Sequence, residues 1–138
     1  MTDPTTDPTT DPALARHHVA NLLHGYTEVA DRKDVAAGVE LLGATTVRFP
    51  DAGFDDPAGA VAFLERLWGS DVPHRHDVSN LVVEAAGPGR WQARAHYTRW
   101  VLDPDPVLTT LGEYAVEVAE RDGRWSFVSL TVTRTWSR

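Results

Sequence analysis

The chain contains no cysteine. That excludes disulfides and thiolate metal sites, and a reducing cytoplasm is the compartment it suggests. Basic charge is also short, with 13 Lys and Arg against 20 Asp and Glu and a formal net charge of −7. A nucleic-acid partner is therefore not expected, because phosphate binding needs a cationic face. Long apolar runs are missing too. None approaches the roughly 18 residues of a spanning helix, so no membrane partner is expected. The opening MTDPTTDPTTDP has neither a basic stretch nor an apolar one and does not read as a secretory signal. Methionine occurs once, whereas tryptophan occurs five times. Tryptophan is large and rigid, and suits both cores and pockets that grip flat apolar ligands.

What is present describes one globular domain. The 138 residues are 42% apolar and 24% charged, enough to bury a real core. Residues 1–11 repeat TDPT and read as a disordered lead-in to a domain over residues 12–138. Asp11-Pro12 reads as an N-cap followed by proline at the first helical position, and Val19, Leu22, Leu23, Tyr26, Val29 and Ala30 follow at helical spacing. Asp34 caps a shorter helix that Gly43 ends, and Asp56-Pro57 starts a third that Gly69 closes. A short strand, TTVRF (45–49), separates the second helix from the third. The chain then changes character. Four strand-like segments (75–86, 90–102, 107–120 and 124–136) are joined by Gly-Pro-Gly, Asp-Pro-Asp-Pro and Arg-Asp-Gly turns. Three helices against a long antiparallel meander make an α+β protein, in which a curling sheet would enclose an apolar cavity beneath the helices.

Three ordered groups of residues carry a family resemblance. The first helix ends in Tyr26-TEVA-Asp31-RK-Asp34, similar to a tyrosine followed by a D-x-x-D pair. The segment His76-DVS-Asn80 places a histidine and an asparagine four apart at the start of an apolar strand. The chain finishes with Gly112-Glu113-Tyr114 and Arg121-Asp122-Gly123-Arg124-Trp125, which resembles a G-x-Y and DG-x-W pair of closing strands. Together, over residues 13–136, these resemble the SnoaL-like branch of the nuclear transport factor 2-like superfamily. The resemblance implies a cone: three N-terminal helices packed on a strongly curved, mostly antiparallel sheet that encloses a pocket. It also implies a homodimer, and a function drawn from a wide set that includes polyketide cyclases, ketosteroid isomerases, scytalone dehydratase, epoxide hydrolases and proteins that only bind. One fold hosts many chemistries, so the site must decide.

The histidine-rich strand HRHDVSN is where the chemistry concentrates. Even spacing puts His76, Val78, Asn80 and Val82 on one face, expected to be the inner one. There His76 reads either as a proton shuttle or as a hydrogen-bonded histidine that only packs. The resemblance to scytalone dehydratase implies the first role, with Asp31 as its acidic partner. Taken alone, Asp31 reads as helix-end chemistry. The second histidine of that enzyme has no counterpart here, because its place is taken by Arg99-Trp100-Val101. Asn80 reads as structural, or as an orienting group for His76 or a substrate carbonyl. Tyr26 and Tyr97 are candidate hydroxyl donors into the pocket, although Tyr26 also fits plain core packing. On the strand from Trp91, the small residues Ala93 and Ala95 place Tyr97 and Arg99 on the inner face, with Arg99 expected at the mouth or against Asp31 or Glu113. Phe49, Phe54, Phe63, Trp68 and Trp136 are expected walls, and the loop around Phe54 a lid.

A metal site on His74-x-His76 lacks a third protein ligand in the sequence, which leaves His74 exposed and no metal or other cofactor expected. His17, His18 and His24 read as surface residues. The reading is a cofactor-free pocket enzyme of secondary metabolism: a cyclase, isomerase or dehydratase working by general acid–base catalysis on a hydrophobic, polyketide-like or polycyclic small molecule. A non-catalytic ligand-binding or dimeric accessory protein is the first alternative. An epoxide hydrolase is the second, with Asp31 and Arg99 as a fragment of the Asp-Arg-Asp set it requires.

Overall fold

Three aspartates start the three helices. Asp11 Oδ1 accepts a hydrogen bond from the Ala13 N–H at 2.9 Å, Asp34 Oδ1 from Ala37 at 3.0 Å and Asp56 Oδ1 from Gly59 at 2.6 Å. Each satisfies a donor that a helix start otherwise leaves unpaired. In the computed structural model, which describes residues 11–138, these caps open α1 (Pro12–Arg32), α2 (Val35–Leu42) and α3 (Pro57–Leu67). The lead-in expected over residues 1–11 lies outside the described residues except for Asp11, the cap of α1. Gly43 caps α2 as expected, and α3 ends with Trp68 as its cap.

Strands β1 (Thr46–Arg48) and β2 (Gly53–Phe54) form a small antiparallel pair. The loop expected over residues 50–55 therefore holds a strand, and Phe54 is tied into the sheet instead of sitting on a lid. β3 (His74–Ala85), β4 (Arg90–Val101), β5 (Val107–Arg121) and β6 (Arg124–Ser137) form the meander. The sheet runs in the order β2-β1-β6-β5-β4-β3, and its one parallel contact is β1 on β6. Each long pairing carries at least one register shift, and bulges of this kind bend strands and strengthen twist. The sheet is open, and its concave face is covered by helices, α1 lying against β3 and β6. Val19, Leu23, Tyr26 and Ala30 of α1 bury against Ala93, Ala95, Tyr114 and Val116 of β4 and β5 in one core. Among the described residues no helix is long and apolar enough to cross a membrane.

Glycine at position 112 decides how that concave face is built. Gly112 lies opposite Tyr97 on β4 and opposite Arg134 on β6. A Cβ there would overlap both the Thr133 carbonyl and the Tyr97 ring, so the missing side chain is the space that the phenol occupies. Gly25, inside α1, is the opposite case, because an added Cβ would meet nothing within 4 Å. Gly112→Ala should destabilise the protein by about 1–3 kcal/mol in urea unfolding, the usual range for overpacking. Gly25→Ala should stabilise it by about 0.5–1 kcal/mol, since glycine is a poor helix former. A neutral Gly112→Ala would mean that Tyr97 does not rest on that strand.

Candidate active site

The end of α1 is bound to the start of β3 by a set of hydrogen bonds that converge within a few residues. Lys33 Nζ donates to the carbonyls of Ser70 and Val72, the latter at 2.6 Å. The Ala30 carbonyl meets His74 Nε2 at 2.6 Å. Between these, Asp31 Oδ1 accepts from the His76 backbone N–H at 2.9 Å and from its ring Nδ1 at 2.7 Å. A carboxylate can only accept, so in the neutral ring this bond puts the proton on Nδ1 and leaves Nε2 as a lone-pair base. The His76 side chain is 11% exposed and its ring lines the cavity. Asp31 stands behind it, outside the cavity lining, and orients the ring.

His74 is held from both sides. Arg99 Nε donates to its Nδ1 at 3.2 Å, so Nε2 carries the proton and donates it to Ala30. Burial, with Arg99 and Lys33 nearby, makes this imidazole harder to protonate than an ordinary histidine. Arg99 is itself steadied through Nη1, which donates to Thr109 Oγ1 at 3.2 Å.

The cavity encloses about 390 Å³. Its apolar wall comes from Phe49, Trp68, Val132 and the rings of three tyrosines. Tyr97 stacks on Tyr114 with centroids 4.4 Å apart, and Tyr26 meets Tyr114 edge-on at 5.7 Å. Burial raises the pKa of all three phenols, which stay protonated as hydrogen-bond donors. Arg99, Arg134 and Arg138 also line the cavity, and among the described residues no Asp or Glu side chain does. The Arg134 and Arg99 guanidinium charges act on the Tyr97 hydroxyl against the effect of burial.

The structure assembles part of the expected site and corrects the rest. His76, Tyr26, Tyr97, Arg99 and Trp68 line the cavity, with Asp31 behind His76. Asn80 does not. It is exposed, has φ 56°, and sits in the bulge between Ser79 and Val82, which reverses the facing of the strand. Beyond the bulge Leu81 and Val83 pack inward, while Val82 is exposed. Phe54 and Phe63 belong to a second layer. Phe63 packs on both Phe49 and Phe54, and only Phe49 reaches the cavity. Trp136, expected as a wall, is 45% exposed. A register shift skips Thr135 opposite β5, so Trp136 pairs with outward-facing Leu111. Arg99 meets His74 and Thr109, not Asp31 or Glu113, and Glu113 lies on the outer face within 3.7 Å of His96.

The sequence reading misses several cavity residues, Tyr114, Thr109 and Arg138 among them, and two more bear on the chemistry. His74, expected at the surface, is buried and lines the cavity; its even spacing from His76 was the available signal. Arg134 was not singled out, although it continues the inward alternation of Leu130 and Val132. The missing third metal ligand is also corrected. Donor atoms of Asp31, His74 and His76 lie within 4.8 Å of one another. The trio does not fit a cation, however, because both His74 nitrogens are engaged and the Arg99 guanidinium is one of the partners.

The trapped His74 gives a pH signature. Its basicity is lowered in the folded protein, so the unfolded chain binds the proton more readily. Stability should therefore fall as pH drops below the ordinary histidine value of about 6.5. Urea unfolding between neutral pH and mildly acidic pH should show this loss, and His74→Gln should flatten the dependence. An unchanged slope in the variant would contradict a neutral, trapped His74.

Comparison with solved structures finds the same fold at low identity. The hexachlorocyclohexane dehydrochlorinase LinA-type3 from Novosphingobium barchaimii superposes with a TM-score of 0.76 at 14% identity, covering 91% of this chain and 90% of that one. A scytalone dehydratase-like protein from Novosphingobium aromaticivorans gives 0.77 at 15% identity, over 91% and 87%. ActVI-ORFA from Streptomyces coelicolor gives 0.75 at 17% identity, over 88% and 98%. Among curated proteins no match is found. The SnoaL-like domain family matches residues 11–131, nearly the whole described chain, and the protein belongs to that family.

Proposed function

We propose that the protein is a cofactor-independent lyase or isomerase in which His76 Nε2 takes a proton from a carbon next to a carbonyl of a hydrophobic, polycyclic or polyketide-like substrate. The observation that carries this reading is the 2.7 Å bond from His76 Nδ1 to Asp31, on a ring that lines an apolar cavity. A base needs a free lone pair, a fixed orientation and reach to its proton; the Asp31 bond supports the first two, and the ring's place on the cavity wall supports the third. The electron pair of the broken C–H bond moves onto the carbonyl oxygen, where a neutral tyrosine hydroxyl, Tyr97 the best placed, donates a hydrogen bond. The imidazolium, held by Asp31, then returns the proton. Returned to another carbon, it completes an isomerisation. Delivered to a leaving hydroxyl as the C–O bond breaks, it completes a dehydration. Delivered to the alkoxide formed when the enolate attacks a second carbonyl, it completes a cyclisation. The names of the structural neighbours, a dehydrochlorinase and a scytalone dehydratase-like protein, denote eliminations, reactions that also remove a proton from carbon.

Two alternatives lose ground. An epoxide hydrolase would need Asp31 and Arg99 to share a water, and Arg99 is instead turned to His74 and Thr109. A dimeric accessory protein that binds nothing would have its hollow plugged, but Trp100 lies outside it and bonds Thr98. A non-catalytic ligand-binding protein would share the open cavity, and the exchange test below separates it from the enzyme. The expected homodimer is supported by Leu111 and Trp136, cross-strand neighbours that stand exposed on the outer sheet face.

Deuterium uptake at the carbons flanking the carbonyl of 2-tetralone, followed by NMR in D2O, tests the base directly. The wild-type protein should accelerate exchange. His76→Ala and Asp31→Asn should each reduce it by about 10²–10⁴-fold, the usual contribution of a positioned base. The melting temperature of His76→Ala should stay nearly unchanged. Full exchange by His76→Ala would remove this residue from the mechanism, and a large loss of stability would assign it to packing.

A further inference from the structure

The cavity has the opposite charge to the protein around it. The chain carries −7 overall, yet among the described residues the ionisable side chains on the cavity wall are arginines, histidines and tyrosines, with no carboxylate among them. We infer that the substrate carries an ionised carboxylate on an aromatic or polycyclic body, and that Arg99 and Arg134 receive it. This rests on the proposed function only in taking the same cavity as the substrate site.

Arg99 is the stronger part of the argument. It is partly buried, and its partners are the neutral ring of His74 and the hydroxyl of Thr109. Among the described residues no side-chain carboxylate offsets its charge there, although a guanidinium withdrawn from water is stable mainly when one does. Those two bonds use one N–H on Nε and one on Nη1, which leaves three of the five guanidinium donors for a ligand. The bonds also fix the plane of the group, so it presents a preset fork, the geometry that binds a carboxylate through both oxygens. Arg134 is 40% exposed and stands nearer the rim. Its nearest acid is Asp51 at 3.9 Å, whose side chain is 92% exposed and easily displaced. Tyr97 lines the cavity with both cations, and their charges work against the rise in its pKa that burial causes.

The position of Arg99 also constrains the chemistry. Arg99 is the direct cross-strand partner of His76. Side chains so paired have Cβ atoms about 5 Å apart. A carboxylate gripped by Arg99 therefore holds the substrate with its acid group close to the base, and the carbon that gives up its proton lies within a few bonds of that acid. The flat body of the molecule would extend over Trp68, Phe49 and the stacked Tyr97–Tyr114 pair.

A matched pair of probes tests this without turnover. 2-Naphthoate and 2-acetonaphthone have nearly the same shape and differ in charge. By titration calorimetry at low salt, 2-naphthoate should bind at least about tenfold more tightly than the ketone, as expected for a charge-assisted contact. The advantage should shrink in Arg134→Gln, whose side chain is at the rim and whose fold should be intact, and vanish in Arg99→Gln. Rising salt should erode it in the wild-type protein, a measurement that needs no variant. His76→Ala should keep the preference, because the base does not contact the acid group. Equal affinities, a preference untouched by either arginine substitution, or no binding of 2-naphthoate at millimolar concentration would overturn the inference. A preserved carboxylate preference alongside absent 2-tetralone exchange would instead count against the base, so the two failures are distinguishable.

Discussion

The site depends on one junction, the hydrogen-bonded seam where the C-terminal turn of α1 meets the first residues of β3. Asp31 follows the last inward-facing residue of the helix, Ala30, and His76 is the third residue of the strand. Neither element alone could orient an imidazole. The backbone bond from His76 N to Asp31 Oδ1 fixes where the carboxylate sits, and the ring bond from Nδ1 to the same oxygen then fixes the tautomer. Lys33 and His74 brace the two sides of the seam through backbone carbonyls. These bonds are structural and chemical at once: those that dock the helix on the sheet also aim the base.

The electrostatics of the cavity follow from the same seam. His74 is kept neutral because its ring is shared between a carbonyl and a guanidinium, so it cannot compete with His76 as a base. Burial pushes all three phenols toward their neutral form, and neighbouring tyrosines add to this at Tyr26 and Tyr114. Among the described residues the cavity thus holds one free imidazole nitrogen, neutral hydroxyl donors and arginines without inward-facing Asp or Glu side chains. This is a polarity gradient across a small space, with a proton acceptor on β3 and cations on β4 and β6.

Much of the fold was legible because its signals are local. Aspartate before proline at 11–12 and 56–57, and Asp34 before an apolar run, marked the helix starts where the caps form. Alternation from Trp91 placed Ala93, Ala95, Tyr97 and Arg99 on the inner face correctly. Alternation failed wherever the ladder carries a bulge, because one extra residue reverses every later side chain. Asn80 and Val82 were lost to the bulge on β3, and Trp136 to the shift near Thr135. Phe54 and Phe63 were misplaced for another reason: periodicity tells inside from outside but not the first layer from the second, and Phe49 stands in front of Phe63. The partnership of Asp31 with His76 spans 45 residues, and no spacing rule could supply it. It came from the family resemblance, and the geometry assembles it.

The central claim is a tautomer: Asp31 holds the proton of His76 on Nδ1 and leaves Nε2 open to the cavity. Long-range ¹H–¹⁵N correlation spectra of ¹⁵N-histidine-labelled protein at neutral pH report it directly, with His76 assigned by its loss in His76→Ala. The account requires a pyrrole-like Nδ1 and a pyridine-like Nε2 for that ring, with the pattern lost in Asp31→Asn. A proton on Nε2 in the wild-type protein, or a pattern indifferent to Asp31, would contradict it.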